Sequence, residues 1–329
     1  MKIIALEEHL TIEAITRSGT TPFGVQDPPR PVMEALNPIE RLLDLGAGRL
    51  AQMDDQGIDV QVLSVTTPGV QNLPPQQAVP LAREANDAVA AAVRAHPDRL
   101  QGFATLPTPD PAAAADELRR TVTQLGFKGA MLNGRTGSQN IDHPGMEPLW
   151  AAAAALRVPI YIHPQMPSDP VQDAYYRGID PVTDLLLSGP GIGWHYETGI
   201  QLLRLILSGT FDRHPDLQVI IGHWGEVVLF YLERIDAFQK LIPLRIERPV
   251  SDYFRSNVYV TGSGMLSHRY LNWSREVVGA DRILYATDYP FIDVGAGQAR
   301  KFLEEADTTE AERAAIGHGN WERLTAHLG

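Results

Sequence analysis

The sequence predicts an α/β protein folded as a (β/α)₈ TIM barrel with long loops at the C-terminal face. Three observations carry that reading. Short apolar runs alternate with helical patterns along the chain, the signature of parallel βαβ units. Eight such runs occur, and eight favour a barrel over an open sheet. The first run leads into Glu7-Glu8-His9, where an open doubly wound sheet would normally offer a Gly-x-Gly-x-x-Gly turn.

The predicted strands cover residues 3–6, 60–65, 100–106, 128–132, 159–163, 218–222, 257–261 and 283–287, each an apolar run bounded by turn signals. The first long helix is expected over 37–56, with Ile39, Leu42, Leu43, Leu50 and Met53 on one face at 3.6 spacing. Alanine-rich residues 76–95 end at His96-Pro97-Asp98, a stop signal. Residues 110–126 open on Asp110-Pro111, an N-cap followed by proline at the first helical position. Further helices are expected over 148–156, 198–208, 226–239, 268–278, 297–306 and 309–327. Residues 18–30 and 164–198 read as functional loops after the first and fifth strands, since long loops in a compact domain are often lids or binding loops. The 329 residues are read as one domain, 1–329, a length that α/β barrels reach.

Net charge is −12 with no basic run, which argues against nucleic acid or an anionic membrane as partner. There are no cysteines, so neither disulfides nor thiolate ligation is possible, and any metal must use histidine, carboxylate and water. The N-terminal apolar stretch meets acid too early for a signal peptide, and no stretch is long enough to span a membrane. A soluble, cytoplasmic protein is expected.

Four of the runs break off in residues that can bind a metal: Glu7-Glu8-His9, His163, His223 and Asp288. In a parallel barrel such residues converge on one face, where catalytic groups sit. Residues i and i+2 of a strand point the same way, so Glu7 and His9 aim together and Glu8 points toward the helices. Each group also has a plainer reading. Glu7 and His9 suit a charged loop, His163 a structural hydrogen bond, and Asp288 beside proline a turn. Glu226, three residues past His223, can set its tautomer or simply complement a helix N-terminus. The plain readings weaken together, because each would have to hold independently at the same end of different strands. The set suits one divalent ion, Zn²⁺ or Mn²⁺, with a position open for substrate or water. The remaining histidines, His195 included, read as structural, and Gly262-Ser263-Gly264 reads as an open barrel loop rather than a phosphate site.

Ala5-Leu6-Glu7-Glu8-His9, Tyr161-Ile162-His163-Pro164, Gly222-His223-Trp224-Gly225-Glu226 and Ala286-Thr287-Asp288-Tyr289-Pro290-Phe291 resemble signatures of the amidohydrolase superfamily. The likeness is greatest to its metal-dependent aromatic acid decarboxylases and covers essentially the whole chain in order. It implies a distorted (β/α)₈ barrel with one divalent metal held by Glu7, His9, His163 and Asp288, with His223 over it and Glu226 behind. It implies that Arg49 and Arg234 help hold the substrate's acid group or shape the site, with aromatic pocket positions at Phe23 and Phe291. It further implies a homodimer or homotetramer acting on a small aromatic acid. Leu10-Thr11 and Trp194-His195-Tyr196 depart from the pattern, both at pocket positions. The reaction so implied is non-oxidative decarboxylation of a hydroxybenzoate, with Asp288 as proton donor and His223 and Glu226 poising charge beside it. The competing reading is a hydrolase of an ester, lactone or amide on the same residues.

Overall fold

In the computed structural model, which describes residues 1–19 and 38–328, every predicted run forms a strand. Among the described residues these are β1 (Ile4–Leu10), β2 (Val60–Val65), β3 in two segments (Leu100–Gly102 and Ala104–Thr105), β4 (Ala130–Asn133), β5 (Ile160–His163), β6 (Val219–Ile221), β7 (Val258–Thr261) and β8 (Ile283–Ala286). All neighbours pair in parallel. Leu100–Gly102 pairs with β2 and Ala104–Thr105 with β4, so the ladders return to the strand where they began. The change of partner takes place at Phe103, whose N–H donates to Leu63 O at 2.9 Å while the next N–H donates to Gly129 O at 2.9 Å. The barrel closes there, and its distortion lies there too.

Alternation along the strands sorts the core into two layers. Ile4, Leu6, Val62, Phe103, Tyr161 and Ile220 fill the barrel interior. Ala5, Val65, Ile160, Ile162, Val219 and Val260 pack outward against the helices. This inward parity on β5 carries from Tyr161 to His163, and on β8 from Ala286 to Asp288.

β1 departs from simple alternation. Leu6 already faces the interior, so strict parity would turn Glu7 toward the helices. Instead the pairing of β1 with β2 slips between Ala5 and Glu8, and Glu7 takes a left-handed φ of 63°. Such a bulge places two successive residues on one side of the strand. Glu7 thereby joins Leu6 on the inside and His9 follows. The i, i+2 argument selects the right pair, but the bulge is what aims it.

Glu8 faces the helix layer as expected, but buried rather than solvated. Its carboxylate accepts from Gln61 Nε2 at 2.8 Å, Thr287 N at 2.9 Å and Thr287 Oγ1 at 2.7 Å, tying β1 to β2 and β8. Burial pushes its pKa up to about 8, against the pull of Thr287 and Arg49. Glu8→Gln would set an amide N–H₂ against donors on either side. It is expected to lower stability by about 1–3 kcal/mol, read by urea unfolding.

Several predicted boundaries shift. The helix expected over 37–56 is two, Ile39–Leu43 and Ala47–Gln56, broken where the Asp44 carboxylate accepts the Gly46 N–H at 2.8 Å. Residue 37 and the 18–30 loop beyond Gly19 lie outside the described residues. The 164–198 segment is not irregular. It holds helices Asp169–Tyr175 and Pro181–Ser188, the second capped by Asp180 onto Val182 N and Thr183 N. The next helix, Gly193–Leu207, starts five residues before the expected 198 and so includes His195. The last predicted helix is broken by a π-turn at Ala315–Gly319. Among the described residues, no helix is long and apolar enough to cross a membrane.

Candidate active site

His163 is the last residue of β5, inward by parity. Its Nδ1–H donates to Pro164 O at 2.8 Å, which leaves the Nε2 lone pair facing the barrel mouth. Burial and the neighbouring His9 hold its pKa well below the usual imidazole value, so it stays neutral. Glu7 Oε1 lies 3.5 Å from His163 Nε2, and Asp288 Oδ1 lies 3.4 Å from His9 Nε2. Asp288 follows β8 with a left-handed φ of 59°. Donor atoms of Glu7, His9, His163 and Asp288 all lie within 4.8 Å of one another. Glu7 Oε1 and His9 Nε2 are buried and have no hydrogen-bond partner. Two orphaned polar atoms in a dry site are costly unless something binds them. Two carboxylates and two imidazoles converging this way fit a divalent cation.

The other Glu7 oxygen is held from behind. Tyr161 Oη donates to Glu7 Oε2 at 2.5 Å, Ser263 Oγ donates to the same oxygen, and Thr261 Oγ1 lies 2.7 Å from Tyr161 Oη. Burial and the Glu7 charge push the Tyr161 pKa up, so the phenol remains a donor. Burial also pushes Glu7 up to about 8, opposed by the His223 charge. Gly222 gives these groups room, since a Cβ there would stand 2.7 Å from Ser263 Oγ and 3.0 Å from Tyr161 Oη.

Beside this cluster, the chain after β6 turns through left-handed φ values at His223 (46°), Trp224 (57°), Glu226 (49°) and Val227 (62°). The turn brings His223 Nδ1 to 2.7 Å from Glu226 Oε1 and His223 Nε2 to 3.9 Å from Asp288 Oδ2. Burial alone would strip the His223 proton, but the charges of Glu226 and Glu7 outweigh it and hold the pKa well above the usual value. Asp288 is driven the other way. Burial raises it, yet the neighbouring imidazoles of His223 and His9 hold it far below the carboxylate range. Glu226 is raised by burial and brought down to about 2 by His223 and His195. The second Glu226 oxygen, Oε2, lies 2.7 Å from His195 Nδ1.

A cavity of about 160 Å³ opens over this ensemble, and Asp288, His223, His163, Thr66, Trp194 and Phe291 contribute to its wall. Phe291 packs edge-on against His9, with ring centroids 5.5 Å apart. The amidohydrolase family profile matches residues 36–324, nearly nine-tenths of the chain. The chain belongs to the amidohydrolase family.

Among its relatives, this amidohydrolase is 38% identical to the γ-resorcylate decarboxylase of Rhodococcus jostii strain RHA1, over 96% of each chain. It superposes with a TM-score of 0.86 on a dihydroxybenzoic acid decarboxylase of Polaromonas sp. JS666, solved with bound manganese and the inhibitor 2-nitroresorcinol. That match has 35% identity and covers 99% of this chain and 97% of the other. With a 5-carboxyvanillate decarboxylase of Sphingomonas paucimobilis the TM-score is 0.87, at 34% identity and 99% coverage of both chains.

The amidohydrolase places the other predicted residues unevenly. Arg49 is wholly buried, with its guanidinium donating to His9 O at 2.6 Å, Asp44 O at 2.8 Å and Gln61 Oε1 at 3.1 Å. It braces the His9 backbone instead of lining the cavity. Arg234 stacks over Phe238 at 4.8 Å, in a separate apolar groove away from the site. The described cavity wall therefore carries no arginine or lysine. Phe23 lies outside the described residues. Tyr161 and Thr261 join the site without a role expected from the sequence, and Ser263 and His195 join it where the sequence implies only a loop and a structural histidine. Tyr161 shares inward parity with His163, a signal that was available. Removing its hydroxyl, Tyr161→Phe, is expected to weaken metal binding about 10- to 100-fold, measured by competition with a chromogenic chelator.

Proposed function

We propose that this chain is a metal-dependent decarboxylase that removes CO₂ non-oxidatively from a hydroxybenzoate-type aromatic acid. The observation that carries the reading is the Glu7, His9, His163 and Asp288 cluster facing a small aromatic-walled cavity, with a charged His223 beside it. Relatives and structural neighbours across the full chain that act on aromatic acids support it. Glu7, His9, His163 and Asp288 would hold one divalent ion, Zn²⁺ or Mn²⁺. When bound, it supplies a Lewis acid and a template for the acid's oxygens.

The chain's own groups do the rest. Phe291 and Trp194 wall the ring, and the cavity keeps the reacting carbon away from bulk water. Protonating an aromatic carbon breaks aromaticity, so a donor must be fixed close to it. Asp288 is assigned that delivery. In this reading Asp288 passes to the ring carbon a proton drawn from His223, whose Nε2 lies 3.9 Å from Asp288 Oδ2. Glu226 keeps His223 oriented through Nδ1. Loss of CO₂ then restores the ring.

We place these activities in one barrel domain spanning 1–329, working in the cytoplasm, with a small aromatic acid as partner and neither nucleic acid nor membrane. A second copy of the chain is proposed to cover the apolar groove between Gly193–Leu207 and Val228–Gln239, where Ile200 is 51% and Phe238 45% exposed. Ile200→Glu is expected to shift the protein toward monomer in sedimentation.

The reaction is tested by incubating the metal-loaded protein with a panel of hydroxybenzoates, following CO₂ and phenol, and then with lactones and esters. Decarboxylation of at least one 2-hydroxybenzoate is expected. Turnover confined to esters or lactones would reassign the site to hydrolysis.

A further inference from the structure

Glu226 is fully buried, and both its oxygens are taken by imidazoles. His223 holds Oε1 and His195 holds Oε2, each at 2.7 Å, with the two rings 4.4 Å apart. The second imidazole comes from a different element, the helix Gly193–Leu207. Its protonation follows from its partners. Trp194 Nε1 lies 3.1 Å from His195 Nε2, and an indole nitrogen can only donate. His195 Nε2 therefore accepts and carries no hydrogen. The contact to Pro190 O at 3.3 Å is longer and carries none in this arrangement. The ring hydrogen sits on Nδ1 and points at Glu226, which as a carboxylate can only accept.

The three groups are close enough to suggest a second cation site. The hydrogen bonds argue against it. Both Nδ1 atoms use their N–H on the carboxylate, and neither presents a lone pair toward a shared point. The arrangement is a lock instead. Trp194 lines the cavity, His195 joins its indole to Glu226, and Glu226 orients His223 beside Asp288.

We propose that His195 is a positioning residue: it pins the Glu226 carboxylate against His223 and ties that pin to the cavity wall through Trp194. The role rests on the reading that His223 and Glu226 serve decarboxylation. Without His195, Glu226 Oε2 is a buried acceptor with no donor, and the carboxylate is free to rotate off His223.

Two variants separate pinning from bulk. His195→Leu removes the donor to Glu226, while His195→Asn keeps an N–H at roughly that position and loses only the Trp194 acceptor. With 2,6-dihydroxybenzoate as substrate, His195→Leu is expected to lower kcat about 10- to 100-fold, with KM within about threefold and metal content unchanged. His195→Asn is expected to recover most of that loss. A kcat for His195→Leu equal to that of the unsubstituted protein overturns the proposal. So does equal impairment of both variants tracking a shared loss of folded stability. The pin is read independently of turnover in histidine ¹⁵N-labelled protein, through the His223 Nδ1–H resonance. It should be protected from solvent in the unsubstituted protein and in His195→Asn, and lost in His195→Leu. Persistence of that resonance in His195→Leu would overturn the proposal even if no hydroxybenzoate is turned over.

Discussion

Asp288→Asn is expected to lower decarboxylation by about 10²- to 10⁴-fold, the range a positioned general acid contributes. The substitution keeps size and one oxygen while removing the ability to pass a proton. The fold should be unaffected, because Asp288 follows β8 and makes no ladder bond. The pair it forms with His223 explains the size of the effect. His223 Nε2 lies 3.9 Å from Asp288 Oδ2, and under the proposed mechanism its proton reaches the ring carbon through that carboxylate. Metal content measured beside activity separates the two roles of Asp288. A near-full metal complement with activity lost fits proton delivery, whereas activity close to that of the unsubstituted protein would remove Asp288 from the chemistry.

His163→Ala is expected to be as damaging by a different route. Its Nε2 has no partner except the neighbouring donor atoms, and its Nδ1–H is fixed on Pro164 O, so the ring is oriented for ligation. Losing it should weaken metal binding by more than about 100-fold, the upper end of what outer partners contribute. Bound metal, measured by elemental analysis after desalting, should fall from about one per chain to near zero. In the unsubstituted protein a chelator should abolish activity and added Mn²⁺ should restore it. In His163→Ala the same addition should restore little. A variant that keeps stoichiometric metal would mean that His163 is not a ligand.

What the sequence showed of this site depended on how far each residue's placement is a local matter. His163 and Asp288 were legible because a short apolar strand fixes which side its last residues take. Glu7 was legible as a residue but not in its geometry. Its inward aim depends on a bulge and a left-handed φ, which no apolar pattern announces. The His223–Glu226 contact was legible from spacing. The run of left-handed residues that makes it was not, since Trp224 and Val227 have no local reason to adopt it.

The residues missed are those whose partners are far away in the chain. Ser263 meets Glu7 across 256 positions, Tyr161 meets it across 154, and His195 meets Glu226 across 31. Such pairs exist only once the barrel closes. Arg49 shows the converse. The family likeness offers a substrate contact or a role in shaping the site, and burial among Gln61, Asp44 O and His9 O makes it a brace for β1. In the fold, eight apolar runs specified eight strands. The break at Phe103 and the short helices within 164–198 depended on tertiary packing and local caps, which periodicity does not report.

Breaking a carbon–carbon bond is what separates the proposed decarboxylase from a hydrolase built on the same residues. The most direct measurement is to give the Mn²⁺-loaded protein carboxyl-¹³C-labelled 2,6-dihydroxybenzoate in D₂O and follow the products by NMR. Equimolar ¹³CO₂ (with its bicarbonate) and resorcinol are expected, with one deuterium at the carbon that lost the carboxyl group. Unchanged labelled acid, from a protein that hydrolyses a lactone or ester under the same conditions, would contradict it.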